Sequence, residues 1–180
     1  VFELSSKSVH SQKTHVVALE GECGDVIENW PQLNALSHIC CLDKKPGISL
    51  QIVNQLVALI DKHQIDIIHS HHIGPMLYGA YAIKRRPQVK HISTVHDAWY
   101  LNNWRYRLIT RLLCKFTPIT IVADAEAVAE EIYKKVDFKA QKIVINGIDS
   151  VEFSPVNMQY ARYQLNLPRK MKLIGCAACV

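Results

Sequence analysis

Glycine is the first scarcity. The chain has 7 glycines in 180 residues, and none fall in a G-x-G-x-x-G or Walker arrangement, so no phosphate-cradling glycine loop is expected. The nearest pair, Gly21 and Gly24 in GECGD, follows a strand-like run and does not read as the start of a helix. Long apolar runs are also missing, and nothing approaches the roughly 20 residues that a membrane span needs. The opening stretch VFELSSKSVHS has no charged start with a long apolar core and no cleavage signature. A signal peptide is therefore not expected, and the chain reads as one entered part-way.

Cysteine is present without the regular loop spacing of a secreted disulfide scaffold. Most of Cys23, Cys40, Cys41, Cys114, Cys176 and Cys179 sit inside apolar patterns, which predicts small buried hydrophobes in a reducing cytosol. Cys176 and Cys179 form a C-x-x-C on the strand-like stretch KLIGCAACV, where packing is favoured over a redox or metal role. Excess charge is slight, at +5, and spread along the chain. With no helix-turn-helix, RNA-binding aromatic signature or finger spacing, nucleic acid is not the expected partner. Phosphates or an anionic membrane surface suit this balance better.

What is present is a globular composition, 49% hydrophobic and 21% charged, in a chain long enough for one core. Short β-branched runs alternate with helical stretches. THVVAL (14–19), SHICCL (37–42), IDIIHS (65–70), KHISTVH (90–96), ITIVA (119–123) and KIVIN (142–146) read as strands, with a last strand at 172–178. Helices are predicted at 50–63 with Ser49 as N-cap, at 75–85 stopped by Pro87, and at 104–116, 124–136 and 157–165. Near-continuous apolar strands, each followed by an amphipathic helix, indicate a doubly wound parallel α/β sheet.

In such sheets ligands bind beyond the carboxyl ends of the strands. Four groups fall there: His69 to His72, His96 with Asp97, Asp124 to Glu126, and Asn146 to Asp149. Zinc would accept a His69/His71/His72/His96 set, and a metal-dependent hydrolase is one alternative function. Against it, no acidic residue accompanies the first cluster, and strand alternation sends Ser70 to the face opposite His69 and His71. For His69 a buried role, hydrogen-bonded to a neighbouring loop, is expected. A non-catalytic sugar- or phosphate-binding domain is a further alternative. His96 and Asp97 could serve as base and orienter. The stretch DAWYLNNWRYRLITRLLCKF interleaves Trp99, Tyr100, Trp104, Tyr106 and Phe116 with Arg105, Arg107, Arg111 and Lys115. It reads either as a core-packed helix with a solvated charged face or as a helix lying on an anionic leaflet.

Three longer stretches carry a resemblance: DIIHSHHIGPMLYGAYAIKRRPQVKHISTVHDAWY, ITIVADAEAVAEEI and KIVINGIDSVEFSP. They are similar to the N-terminal, acceptor-side domain of the retaining glycosyltransferases of GT-B fold (family 4 type, glycosyl transferases group 1), which include α-mannosyl and α-glucosyl transferases. The order strand-HxH-helix, strand-TxH, strand-(S/A)E-helix and strand-NG(I/V)D matches, with Asn146, Gly147, Ile148, Asp149, Phe153 and Pro155 in the last element. The resemblance implies a Rossmann-like domain over residues 1–168, with 169–180 the linker and first strand of a second, donor-binding domain. It implies that His96 and Asp97 are catalytic, His96 facing the donor sugar and its phosphate. It further implies that His71, His72 and Gly74 line the acceptor side, with Glu126, Asn146, Gly147 and Asp149 also binding substrate. A nucleotide-sugar would be the donor substrate, with no cofactor and no obligatory metal. The acceptor would be a glycan or glycolipid, such as lipopolysaccharide or another surface polysaccharide, handled in the cytoplasm at the inner membrane face.

Three departures accompany the resemblance. The family's first strand and glycine-rich loop are not found, which corresponds to one βα unit of about 20 to 30 residues. Ala125 stands for a frequent Ser, and Cys179 for a usual Arg. The expectation is a half-enzyme that does not turn over by itself.

Overall fold

The computed structural model describes residues 13–151 and 153–174. Among them strands and helices alternate: β1 (Val16–Ala18), α1 (Cys23–Asn29), β2 (Ile39–Cys41), α2 (Leu50–His63), β3 (Ile67–His71), α3 (Ile73–Arg85), β4 (Lys90–Val95), α4 (Trp104–Phe116), β5 (Ile119–Ala123), α5 (Glu126–Val136), β6 (Lys142–Ile143) and α6 (Met158–Gln164). Every strand pair is parallel. β1 pairs with β2, while β3, β4, β5 and β6 form a second sheet in that order. This is the expected Rossmann-like α/β class.

The helices form where apolar residues recur on one stripe. α2 buries Ile52, Val53 and Ile60, and ends where Gln64 turns left-handed at φ 51°. Ser49 does occupy its N-cap position, but its side chain makes no capping bond; its backbone N–H donates to the Tyr78 hydroxyl at 3.1 Å. One core joins Met76, Ala80 and Ile83 of α3 to Ile121 and Ala123 of β5 and to Ile132 and Val136 of α5. Each large aliphatic side chain buried there contributes roughly 1.5–3 kcal/mol. Ile52, Val53 and Tyr78 form a satellite cluster under β1 and β2.

Between the two sheets, β1, β2, α2 and β3 bound a slot of about 1250 Å³, lined by Val17, Leu19, Leu56, Ile60 and Ile68 among others. Among the described residues no strand bridges β1 to β3.

Several local expectations are corrected. A helix does open within GECGD, at Cys23. Cys23 and Cys41 are not separate buried thiols: the start of α1 meets the carboxyl end of β2, and the two are joined by a disulfide with Cα atoms 5.2 Å apart. Cys114 does behave as a small hydrophobe, its thiol pushed up to about 12 by burial. The C-x-x-C lies outside the described residues. β3 begins two residues later than IDIIHS suggests and runs on to His71. β6 keeps only Lys142 and Ile143, and one further bond, Val144 N–H to the Ala123 carbonyl at 2.9 Å, ends its pairing. Residues 172–174 are not in a strand.

The chain divides into two compact units, one up to Ile145 and one from Asn146. In the second, Asn157 caps α6 by accepting from the N–H groups of Gln159 and Tyr160 at 2.9 and 3.3 Å. Asp149 closes a turn by accepting from the Val151 and Phe153 N–H groups at 3.0 and 2.8 Å. Among the described residues no helix is long and apolar enough to cross a membrane.

Candidate functional site

Parallel pairing brings the ends of β3, β4 and β5 to one edge. His71 stands opposite Thr94 in the β3–β4 register, and Val95 opposite Ala123 in the β4–β5 register. One step beyond that last pair, His96 meets Asp124. His96 Nδ1 lies 3.2 Å from Asp124 Oδ2, and His96 Nε2 lies 2.8 Å from His71 Nδ1. His69 Nε2 lies 2.8 Å from Thr94 Oγ1, and its ring centroid is 4.4 Å from that of His71. The result is a run of side chains across three strands: His71, His96 and Asp124, with His69 alongside.

Burial sets the charge of His71. The His71 imidazole is lowered to about 4, first by desolvation, then by the neighbouring rings of His69 and His96, so it is neutral at pH 7. Beneath the site, on the opposite face of β3 as alternation requires, the Ser70 hydroxyl bonds His91 Nε2 at 2.8 Å. His91 is 1% exposed, and desolvation lowers it to about 4. α3 packs over this ring with Gly79, where an added Cβ would sit 2.7 Å from two His91 ring atoms. That close approach explains a glycine in the middle of a helix.

The other expected residues divide. His72 is exposed at the N-cap of α3, with φ 68° and ψ 167°, a region that glycine alone adopts cheaply. Its ring is 5.8 Å from that of His96. Gly74 lies in the first turn of α3, and nothing would meet a Cβ there within 4 Å. Glu126 is exposed in the first turn of α5, at the same sheet edge. Asp97 accepts the Trp99 N–H at 3.1 Å and so starts the 3-10 turn Trp99–Asn102; the carboxylate on His96 is Asp124. Asn146, Gly147 and Asp149 belong to the second unit. His69 is not buried against a loop as expected: it is exposed and bonds a hydroxyl on β4. Asp124 belongs to a group expected at this edge, following the apolar run ITIVA just as His96 follows its own, but the sequence assigns it no partner. Its partnership depends on strand register, which the run alone does not specify.

Among the described residues no group of three His, Cys, Asp or Glu side chains is arranged to hold a metal ion. The nitrogens of His71 and His96 point at each other, not at a common centre.

α4 has the expected boundaries and packs into the core through Leu113, with Ile109 and Cys114 against it, but its outer face is not charged alone. Trp104, Leu108, Leu112 and Phe116, four residues apart, are 62, 48, 45 and 63% exposed, and Trp99 is 81% exposed. Arg105, Arg107, Arg111 and Lys115 flank them. Arg111 also ties α4 to α5 by donating to the Val136 carbonyl at 3.0 Å.

Parallel strands that end in a shared polar edge, with a helix starting beyond each, define an α/β domain of the doubly wound class. Residues 12–151 match the model of Glycosyltransferase Family 4, and the chain belongs to that family. A comparison with curated proteins found no match.

Proposed function

We propose that this domain is the acceptor-side half of a retaining glycosyltransferase of GT-B fold. The bond from the donor's anomeric carbon to its nucleotide phosphate breaks, and a bond to an acceptor hydroxyl of a glycan or glycolipid forms on the same face. The observation that carries the reading is the junction of His71, His96 and Asp124 at the carboxyl edge of the sheet in a family 4 chain. His96 contacts the donor sugar and its phosphate, with Asp97 beside it. His71, His72 and Gly74 line the acceptor side, and Glu126, Asn146, Gly147 and Asp149 add substrate contacts. The nucleotide-sugar is a substrate, and no cofactor is required.

The test uses the chain itself on a glycan array and with a panel of nucleotide-sugars. Saturable glycan binding that His71→Ala and His96→Ala each weaken supports the reading. Absence of any glycan binding overturns the acceptor-side assignment, and repeated nucleotide release overturns its restriction to half of an enzyme.

The exposed stripe on α4 adds a location, the anionic inner leaflet of a membrane. Apolar side chains at four-residue spacing with cations on either flank suit a helix lying in the headgroup region. The chain should sediment with vesicles containing phosphatidylglycerol and much less with phosphatidylcholine alone. Equal sedimentation removes the electrostatic part, and no sedimentation with either removes the location.

A further inference from the structure

We infer that Asp124 is a positioning residue that fixes which nitrogen of His96 carries its proton, and that His71 Nε2 is the end of the histidine run left to meet substrate. The second clause rests on the glycosyltransferase reading; the first stands on geometry alone.

A carboxylate accepts and cannot donate, so the nitrogen facing Asp124 Oδ2 at 3.2 Å must be the protonated one. Neutral His96 is then the Nδ1–H tautomer, and its Nε2 is an acceptor. The group 2.8 Å from that Nε2 is His71 Nδ1, which must therefore donate. His71 is thus also the Nδ1–H tautomer, with a lone pair on Nε2. Both proton positions follow from a single carboxylate two hydrogen bonds away. The Asp124 side chain is 11% exposed and that of His96 32%, so water competes weakly for the carboxylate end of the run.

The arrangement also determines where a proton would rest. A proton accepted at His71 Nε2 can be matched by transfer of the Nδ1 proton from His71 to His96 Nε2. No atom other than hydrogen moves, the charge balances, and the imidazolium ends up on His96 beside Asp124. His96 Nε2 is taken by His71, so the lone pair of the run left for a substrate hydroxyl is the one on His71 Nε2.

Ring-nitrogen NMR on the 15N-labelled chain, without ligand at neutral pH, tests the assignment directly. His96 and His71 should both show a protonated Nδ1 and an unprotonated Nε2; an Nε2–H signature on wild-type His96 overturns the inference. Asp124→Ala should lose the Nδ1–H signature of His96, and its retention overturns the role given to Asp124. His71→Ala should leave the His96 tautomer unchanged, and a switch there would assign the positioning to His71 instead. If Asp124→Ala does not fold, the wild-type and His71→Ala spectra still decide. Because no sugar is needed, a chain that binds no glycan but keeps these tautomers fails only the functional reading. One that binds glycan with Nε2–H on His96 fails only this inference.

Discussion

His69, His71 and His96 stand at the carboxyl ends of β3 and β4, whereas His15 and His38 stand at the amino ends of β1 and β2, with His63 at the end of α2. Both trios are close-packed. In the second, the His15 ring is 4.5 Å from that of His38 and 4.1 Å from that of His63. What separates them is their partners. The carboxyl-edge rings are hydrogen-bonded to one another, to a threonine hydroxyl and to a carboxylate. Among the described residues none of the amino-edge rings has a side-chain hydrogen bond or an ion pair, and His15 is lowered by burial and then by its two histidine neighbours. Proximity of imidazoles is therefore a poor guide to a site. Connection to a fixed acceptor, which orients the proton, distinguishes a device from a stack.

The largest expected contrast is in acid stability. His91, under the carboxyl edge, has an ordinary value of 6.5 and is lowered to about 4 in the fold. The unfolded chain therefore binds more protons between those values, so stability falls as pH drops from 6.5 through 4 and is constant, for this group, outside that window. The contribution is about 3 kcal/mol. Urea midpoints across this range should show the loss in wild type, and His91→Gln should remove its share of the slope and leave that of His71, which is lowered to about the same value. An unaltered slope in His91→Gln would overturn the assignment.

Next in size is ligand recognition. His96→Ala should weaken glycan binding by about 1–3 kcal/mol, the cost of leaving its partners unsatisfied, and His38→Ala should not change it. Titrations of the same glycan into the two variants check this. Loss of binding in His38→Ala would move the site toward the slot between the sheets.

The smallest effect sharpens the comparison at one backbone position. His72 holds φ 68° and ψ 167°, so His72→Gly should stabilise the fold by about 1 kcal/mol by relieving that conformation. Thermal melts measure it. A destabilised His72→Gly would mean that the side chain's packing beside His96 outweighs the backbone cost.

The legible parts of the fold are those with a local cause. α4 and β5 appear with the boundaries that periodicity predicts, and α2 stops at His63 because its stripe runs out and Gln64 adopts the left-handed turn. The crevice edge was legible too, since each apolar run ends in a polar group. Less legible was α1, a short helix that buries no residue and so leaves little apolar signature. β6 is shorter than KIVIN suggests because only two of its residues find partners on β5.

Sequence alone determined the class of the fold and the family, because period and motif order are properties of neighbouring residues. Tertiary structure alone decided that the His96 carboxylate is Asp124, 28 residues away, and not the adjacent Asp97. It also decided that Cys23 meets Cys41, and that Gly79 makes room for His91. Each of these pairings depends on the register of parallel strands or on the seating of a helix over them. Those are set by the burial of the whole core, and no short stretch of chain encodes them.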